Sequence, residues 1–330
     1  MSKSTVFITG ASGFIGAQIT AFALRAGYNV KLSVRREAQI DALRRAFSEF
    51  ADNLDFVVIP DLTKAKAFDT ALQGAEHVIH VASPLPGPNE KDLLTPAVKG
   101  TTSILESALH VPSIKKVVIT ASVASLVPLG KGVDGTVVTE DIAKEKLYFD
   151  ESIVPSLNPG EQYRASKLAS YTATLDFVET KKPHFSVVTL HPVYVFGRNL
   201  LQTRADELSG TNAMLFESLY AEEPRFAPYR GVHIDDVAEA HIRALNLADA
   251  PVSSFLLSGK NRSWEEVLEF ANKKYPGAGF KAKPKTGDEL IVVTARAEAE
   301  LGFSAWKEME VQVSDVIEQQ LHLRSAGAGS

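Results

Sequence analysis

The 330-residue chain contains no cysteine. That excludes disulfides, thiol nucleophiles and thiolate metal sites, and it fits a reducing compartment. A strong charge of either sign is also missing: 35 Lys and Arg against 40 Asp and Glu leave a net charge of -5. Nothing electrostatic therefore points to nucleic acid or an anionic membrane as partner. Long hydrophobic runs are absent too. The apolar stretch between Lys3 and Leu24 is broken by Gly10, Ser12, Gly13 and Gly16, so it is not read as a targeting segment. VVITASVASLVPLG, from Val117, holds Thr, Ser and Pro and is too short to span a bilayer. There is no internal repeat, no Gly-x-Ser-x-Gly elbow and no His-Glu-x-x-His. Of the eight histidines, His77 and His80 stand three apart on one expected strand and point to opposite faces, so no metal site is expected. The expectation is a cytoplasmic protein without membrane or nucleic-acid partners.

What is present is an ordinary globular composition, 45% hydrophobic and 23% charged, in enough chain for one large or two modest domains. Short β-branched runs alternate with helical patterns. Strands are expected at 5–10, 29–34, 54–60, 77–83 and 115–122, with another from 185 toward 197. Helices are expected at 14–26, 37–50, 63–73 (capped by Thr63), 91–109 and 161–180. The strands are near-continuously apolar, as when helices cover both faces of a parallel sheet. The pattern predicts an α/β fold with a doubly wound parallel sheet and right-handed crossovers. After about residue 197 the alternation stops, and 200–230 and 259–322 mix helices with Pro and Gly loops, including a Ser263–Glu266 capping box. Residues 1–195 with about 228–258 are expected to form a dinucleotide-binding domain, and about 196–227 with 259–322 a smaller substrate lobe. Residues 323–330, ending in SAGAGS, read as a loose tail.

FITGASGFIG, residues 7–16, runs a strand into Gly10, Gly13 and Gly16 where a helix begins. A helical glycine costs about 1 kcal/mol against alanine. Here Gly10 suits a tight turn, Gly13 a close approach of phosphate oxygens, and Gly16 close helix–strand packing. A ligand-free turn is the plainer alternative, but the place after the first strand of a β-α-β series favours a pyrophosphate. The second strand ends in Arg35 and Arg36, where NAD-selective proteins usually carry a carboxylate. Two guanidiniums suit a 2′-phosphate, so NADP (as NADPH) is the expected cofactor, chiefly through Arg35; solvated surface arginines are the alternative. Glu37 is assigned to the next helix.

YRASK places Tyr163 and Lys167 four apart, on one helix face. An ammonium beside a phenol is expected to lower its pKa, making Tyr163 a general acid for a carbonyl oxygen. Lys167 is also placed to hold a ribose. Ser122, at the carboxyl end of its strand, is the expected donor to the substrate oxygen, with Ser125 as competitor. HIDDVAEAH (233–241) reads as a helix entry capped by Asp235 or Asp236.

TGASGFIG, SVRR, PDLTKAKAFD, HVASP, DLLTPAVKGT, VVITAS, YRASK, HPVYVFG and HIDDVAEAH together resemble the extended short-chain dehydrogenase/reductase family. Within it the chain is similar to the dihydroflavonol-reductase-like branch, which includes fungal NADPH-dependent aldehyde, ketone and methylglyoxal reductases. The resemblance spans about residues 4–320. It implies a carbonyl reductase with Ser122, Tyr163 and Lys167 as catalytic triad. Gly10, Gly13, Phe14, Ile15 and Arg35 match pyrophosphate and 2′-phosphate contacts, with Ser12 and Arg36 counted beside them. Asp61 and Leu62 match the adenine edge, Ala82 and Ser83 the turn at the cofactor ribose, and Pro192 and Val195 the nicotinamide side. Loops 84–89 and 126–133 and segment 194–226 are expected around the substrate. Their candidate lining, Leu85, Leu126, Val127, Tyr194, Met214 and Phe216, suits a hydrophobic or aromatic aldehyde or ketone. Lys99 and His191 stand where the family often has Asn, and Arg198 where it often has Pro; they bear on proton supply and substrate geometry. Helices 91–109 and 161–180 are where relatives often dimerise, so a monomer or homodimer is expected. An alcohol dehydrogenase, epimerase or dehydratase on the same scaffold, or a non-catalytic NADP-binding regulator, are the alternatives.

Overall fold

Seven parallel strands make the central sheet in a computed structural model that describes residues 3–85, 92–130, 135–287 and 289–327. In chain order the elements are β1 (Thr5–Thr9), α1 (Phe14–Arg25), β2 (Asn29–Val34), α2 (Ile40–Ala46), β3 (Leu54–Val58), β4 (His77–His80), α3 (Leu94–Leu109), β5 (Lys116–Thr120) and β6 (Thr136–Val138). They continue with α4 (Pro159–Lys181), β7 (Ser186–Pro192), β8 (Tyr194–Phe196), α5 (Gly210–Tyr220), β9 (Gly231–His233), α6 (Ile234–Ala244), β10 (Val252–Leu257), α7 (Trp264–Lys274), β11 (Leu290–Val292), α8 (Ala295–Leu301) and α9 (Met309–Gly327).

The sheet order is β10-β7-β5-β4-β1-β2-β3. The chain winds outward from β1 to β3, then crosses back to β4 and winds the other way. The direction reverses between β1 and β4, and ligands bind at such a switch point, beyond the carboxyl ends of the strands. The predicted doubly wound fold is what the chain adopts. Alternation along β1 explains the two layers: Val6 and Ile8 join one buried cluster with α1 and α6, whereas Phe7 joins Phe68, Val78 and Ile104 in the cluster on the opposite face. Phe7 is fully enclosed, edge-on to Phe68 with centroids 6.1 Å apart. Truncation of such a ring to alanine costs about 3–5 kcal/mol.

Two short parallel pairs, β8 with β9 and β6 with β11, lie outside the main sheet. A third buried cluster gathers Phe196, Phe226, Tyr229 and Trp264 with residues of α5, α7 and α9. Among the described residues, no helix is long and apolar enough to cross a membrane.

Several expected elements differ. Residues 62–74 form turns instead of a helix. Lys66 has a positive φ of 64°, which a helix cannot pass through, and the turn is held by Asp61, whose carboxylate accepts from Thr63 N at 2.9 Å and Thr63 Oγ1 at 2.6 Å. The cap is thus Asp61 and not Thr63. The helix of 37–50 contracts to α2, flanked by short 3₁₀ turns. α6 is capped by His233, whose Nδ1 accepts from Asp235 N at 3.1 Å. The two expected cap residues are engaged elsewhere: Asp235 Oδ1 accepts from Gln18 Nε2, and Asp236 Oδ2 accepts from Lys307 N. Residues 323–327 belong to α9 where a loose tail was expected; residues 328–330 lie outside the described residues. The Ser263–Glu266 capping box is formed as expected, at 2.8 and 3.2 Å.

Candidate active site

The glycine turn is shaped by contacts that side chains would prevent. Gly10 has φ +74°, and a Cβ there would lie 2.7 Å from Ala82 N. A Cβ on Gly16 would lie 2.1 Å from Gly10 O, so this residue is what lets α1 close on the turn. Gly13 differs: its Cβ would meet only Gly10 O, at 3.3 Å, and otherwise fill the open side of the turn. Gly13 is also the N-cap of α1, without a side-chain cap and with no acid in the first turn. The first N–H groups of a 12-residue helix, including those of Phe14 and Ile15, thus remain available to an anion. The residues present fit a pyrophosphate.

At the end of β2, Arg35 and Arg36 are exposed. Gln39, which sequence reasoning missed, braces them. Its Oε1 accepts from Arg35 N at 2.9 Å and Arg36 N at 3.1 Å, while its Nε2 donates to Ser12 Oγ at 2.9 Å. Gln39 closes a short 3₁₀ turn that opens at Arg36, its N donating to Arg36 O at 3.1 Å, which carries its side chain back to the two arginine amides. Asp61 is held below the usual carboxylate range, first by its bonds from Thr63 and more weakly by the charges of Lys64 and Arg35. Leu62 follows in the same turn, half-buried.

Ser122, Tyr163 and Lys167 converge beyond the carboxyl ends of β4 and β5. Ser122 caps a 3₁₀ turn, Val123–Leu126, its Oγ accepting from Ala124 N at 3.2 Å. Its hydroxyl also faces the Tyr163 phenol and favours the ionised form of that group. α4 carries Tyr163 and Lys167 on one face, started by Asn158, whose Oδ1 accepts from Glu161 N at 3.0 Å, and by Pro159. Lys167 Nζ donates to Ser83 Oγ at 2.9 Å and lies 5.7 Å from the Tyr163 ring centroid.

The expected lowering of the Tyr163 phenol is not met. Burial pushes it up, the Ser122 hydroxyl opposes this more weakly, and Tyr194 adds slightly to the rise. Lys167 Nζ lies 5.7 Å from the ring centroid, and its charge is not among the influences that set the phenol. Desolvation brings Lys167 itself down to about 8.

Ser125 takes a supporting place. Its Oγ donates to Ser122 O at 2.6 Å and lies 3.1 Å from His191 Nδ1. His191 is fully enclosed, lowered to about 4 chiefly by burial, and reaches Ser122 O at 3.1 Å and Thr189 Oγ1 at 2.9 Å. Lys99 is exposed on α3. Arg198 pairs with Asp315 at 3.1 Å and Glu318 at 2.8 Å, tying the end of β8 to α9. Pro192 ends β7 and Val195 is buried in β8. Ala82 and Ser83 follow β4, half-buried.

The expected substrate lining scatters. Leu85 is 61% exposed, and Tyr194 and Met214 are half-buried. Phe216 is wholly enclosed in the aromatic cluster, and Leu126 and Val127 are enclosed in another, so these three reach no open face. Residues 86–89 and 131–133 of the expected loops lie outside the described residues.

The sequence profile of the NAD dependent epimerase/dehydratase family matches residues 6–255. The chain belongs to this family. Among its similar proteins is the ketoreductase sphI of Aspergillus fumigatus, 40% identical over 97% of this chain and 98% of that protein. Gre2 of Candida albicans in complex with NADPH is 28% identical, with a TM-score of 0.83 over 97% of this chain and 99% of that one. Vestitone reductase from alfalfa is 25% identical, with a TM-score of 0.79 over 98% of this chain and 99% of that one. The resemblance to the extended short-chain reductases, drawn from nine short stretches, agrees with these relationships.

Proposed function

We propose that the protein is an NADPH-dependent carbonyl reductase, converting an aldehyde or ketone to an alcohol with Tyr163 as general acid. The observation that carries this reading is the gathering of Ser122, Tyr163 and Lys167 beyond the carboxyl ends of β4 and β5, with Lys167 Nζ donating to Ser83 Oγ at 2.9 Å and lying 5.7 Å from the Tyr163 ring centroid. The ketoreductase and NADPH-bound relatives support it.

In this reading the glycine turn and the first turn of α1 hold the pyrophosphate, Arg35 and Arg36 the 2′-phosphate, and Lys167 with Ser83 the ribose nearest the substrate. Bound NADPH supplies the hydride for the carbonyl carbon. Ser122 donates a hydrogen bond to the carbonyl oxygen as charge develops there. Tyr163, kept protonated by its burial, gives that oxygen its proton. Residues 196–227 and 259–322 form the substrate lobe, and half-buried Tyr194 and Met214 favour an apolar substrate.

The test is NADPH oxidation, with NADH in parallel, over a panel of aldehydes, α-dicarbonyls, β-ketoesters and aryl ketones. Turnover with NADPH well above NADH, lost in Tyr163→Phe while NADPH still binds, is the expected result. Near-wild-type turnover in that variant overturns the assignment. Product analysis separates reduction from epimerisation or dehydration.

A further inference from the structure

A cavity of about 10 Å³, room for one water molecule, lies behind Lys167 between α4 and the sheet. Its walls include His80 from β4, Thr189 from β7, Thr101 from α3, and Lys167 and Ser170 from α4. His80 is 2% exposed, and its Nε2 is buried with no protein hydrogen-bond partner.

Which ring nitrogen of His80 carries the hydrogen follows from Thr9. Thr9 Oγ1 accepts from Val81 N and Ala82 N, both at 3.1 Å. Those two bonds use both of its lone pairs, so its own hydrogen goes to His80 Nδ1, 2.9 Å away. Nδ1 is thus an acceptor. Burial, with the Lys167 charge second, drops His80 to about 3, so the ring is neutral and its hydrogen sits on Nε2. A buried N–H facing a polar cavity needs an acceptor.

Lys167 needs one as well. Desolvation alone lowers it, and no carboxylate offsets that among the described residues. The titratable groups around it are His80 on β4, His191 on β7, and Tyr163 and Tyr171 on α4; both histidines are neutral. One Nζ hydrogen goes to Ser83 Oγ.

We propose that this cavity is a single-water site in which the water accepts from His80 Nε2 and from Lys167 Nζ, making His80 a positioning residue for the Lys167 ammonium. A water has two lone pairs for these two donors, and its own hydrogens face the hydroxyl pair Thr101–Ser170, whose oxygens are 3.0 Å apart. With one Nζ hydrogen on Ser83 and a second on the water, the third points away from the cavity. The role of His80 in turnover rests on the carbonyl-reductase reading; the water site does not.

A high-resolution crystal structure of the cofactor-free protein is expected to show one water within hydrogen-bond distance of both His80 Nε2 and Lys167 Nζ. A dry cavity overturns the proposal. His80→Gln keeps an N–H donor near the Nε2 position, whereas His80→Leu removes it. Lys167 is followed by NMR titration of isotope-labelled lysine side chains, with no substrate present. In His80→Leu its titration is expected to fall by about one pH unit, since the ammonium loses an acceptor, and His80→Gln is expected to restore it. An unmoved Lys167 in a folded His80→Leu protein overturns the proposal; if that variant does not fold, the crystal structure decides. In turnover, the alkaline limb of kcat is expected to move with the Lys167 titration while KM for NADPH stays constant. A chain inactive on every carbonyl tested leaves the crystal and NMR results standing, so the two readings fail separately.

Discussion

His191 holds Ser122 by the backbone: its imidazole Nδ1 lies 3.1 Å from the Ser122 carbonyl oxygen. The other ring nitrogen reaches Thr189, which bonds Ser254, which in turn meets the Tyr171 hydroxyl at 2.9 Å. One buried polar chain therefore runs from the candidate oxygen donor to α4 and the edge strand β10. His191→Leu would strand these partners, at a cost of about 2 kcal/mol or more. Expected outcomes are a lower urea midpoint and a kcat loss exceeding any change in KM for NADPH. His191→Asn, which restores one amide, should lose less of both.

The three glycines should fail in different ways. Gly16→Ala drives a Cβ to 2.1 Å from Gly10 O, so backbone must shift. Its expected signature is lost stability in thermal unfolding. Gly13→Ala meets one backbone oxygen at 3.3 Å and otherwise projects into the cradle. It should fold and lose NADPH affinity, read by titration calorimetry. Equal stability loss in both variants would contradict this division.

Arg35 is expected to choose the cofactor. A charge-assisted hydrogen bond contributes about 1.5–3 kcal/mol, so Arg35→Ala should weaken NADPH binding roughly ten- to hundredfold and leave NADH nearly unchanged. Gln39→Ala, which frees Ser12 Oγ and the Arg35 and Arg36 amides, should shift NADPH affinity less. Dissociation constants for NADPH, NADH and 2′,5′-ADP check both.

Acid should destabilise the fold through its enclosed histidines. His80 is lowered to about 3, and His191 and His241 to about 4, each chiefly by burial, against an ordinary 6.5. Below pH 6.5 the unfolded chain takes up protons that the native state refuses, so stability is full above that pH and falls as pH falls toward 4. Each group contributes at most about 1.4 kcal/mol per pH unit. Glu140 and Asp236, raised by burial, act in the opposite sense at lower pH. Urea midpoints between pH 7 and 5.5 are therefore the measurement; a flat profile there contradicts the prediction.

The main sheet was legible because its strands are short apolar runs and its glycines mark a turn between two such elements. The three catalytic candidates were legible for a related reason: Tyr163 and Lys167 share a helix face, and Ser122 ends a strand. What escaped depends on partners far along the chain. Thr63 looks like a cap until Asp61 takes its hydrogen bonds and Lys66 turns left-handed. Asp235 looks like a cap until Gln18, 217 positions away, claims its carboxylate. Phe216 looks like a pocket wall because composition cannot say which side of a helix meets Tyr220 and Arg324. His80 hides inside an apolar strand, and only the two backbone bonds to Thr9 reveal which nitrogen bears its hydrogen.

The edge strand β10 is the last piece of the main sheet to be made, and it pairs with β7 along six register positions, from Val252 with Val187 to Leu257 with Pro192. Between β7 and β10 the chain has already travelled out through β8 and α5 and returned through β9 and α6. A ribosome must therefore release residue 257 before the nucleotide platform can be completed. A truncation anywhere before it leaves β7 as a raw edge, open to pairing with another copy. Any cut before residue 257 divides the main sheet, so a fragment holding only residues 1–195 should aggregate, and the strand that seals β7 must be carried along in any engineered platform.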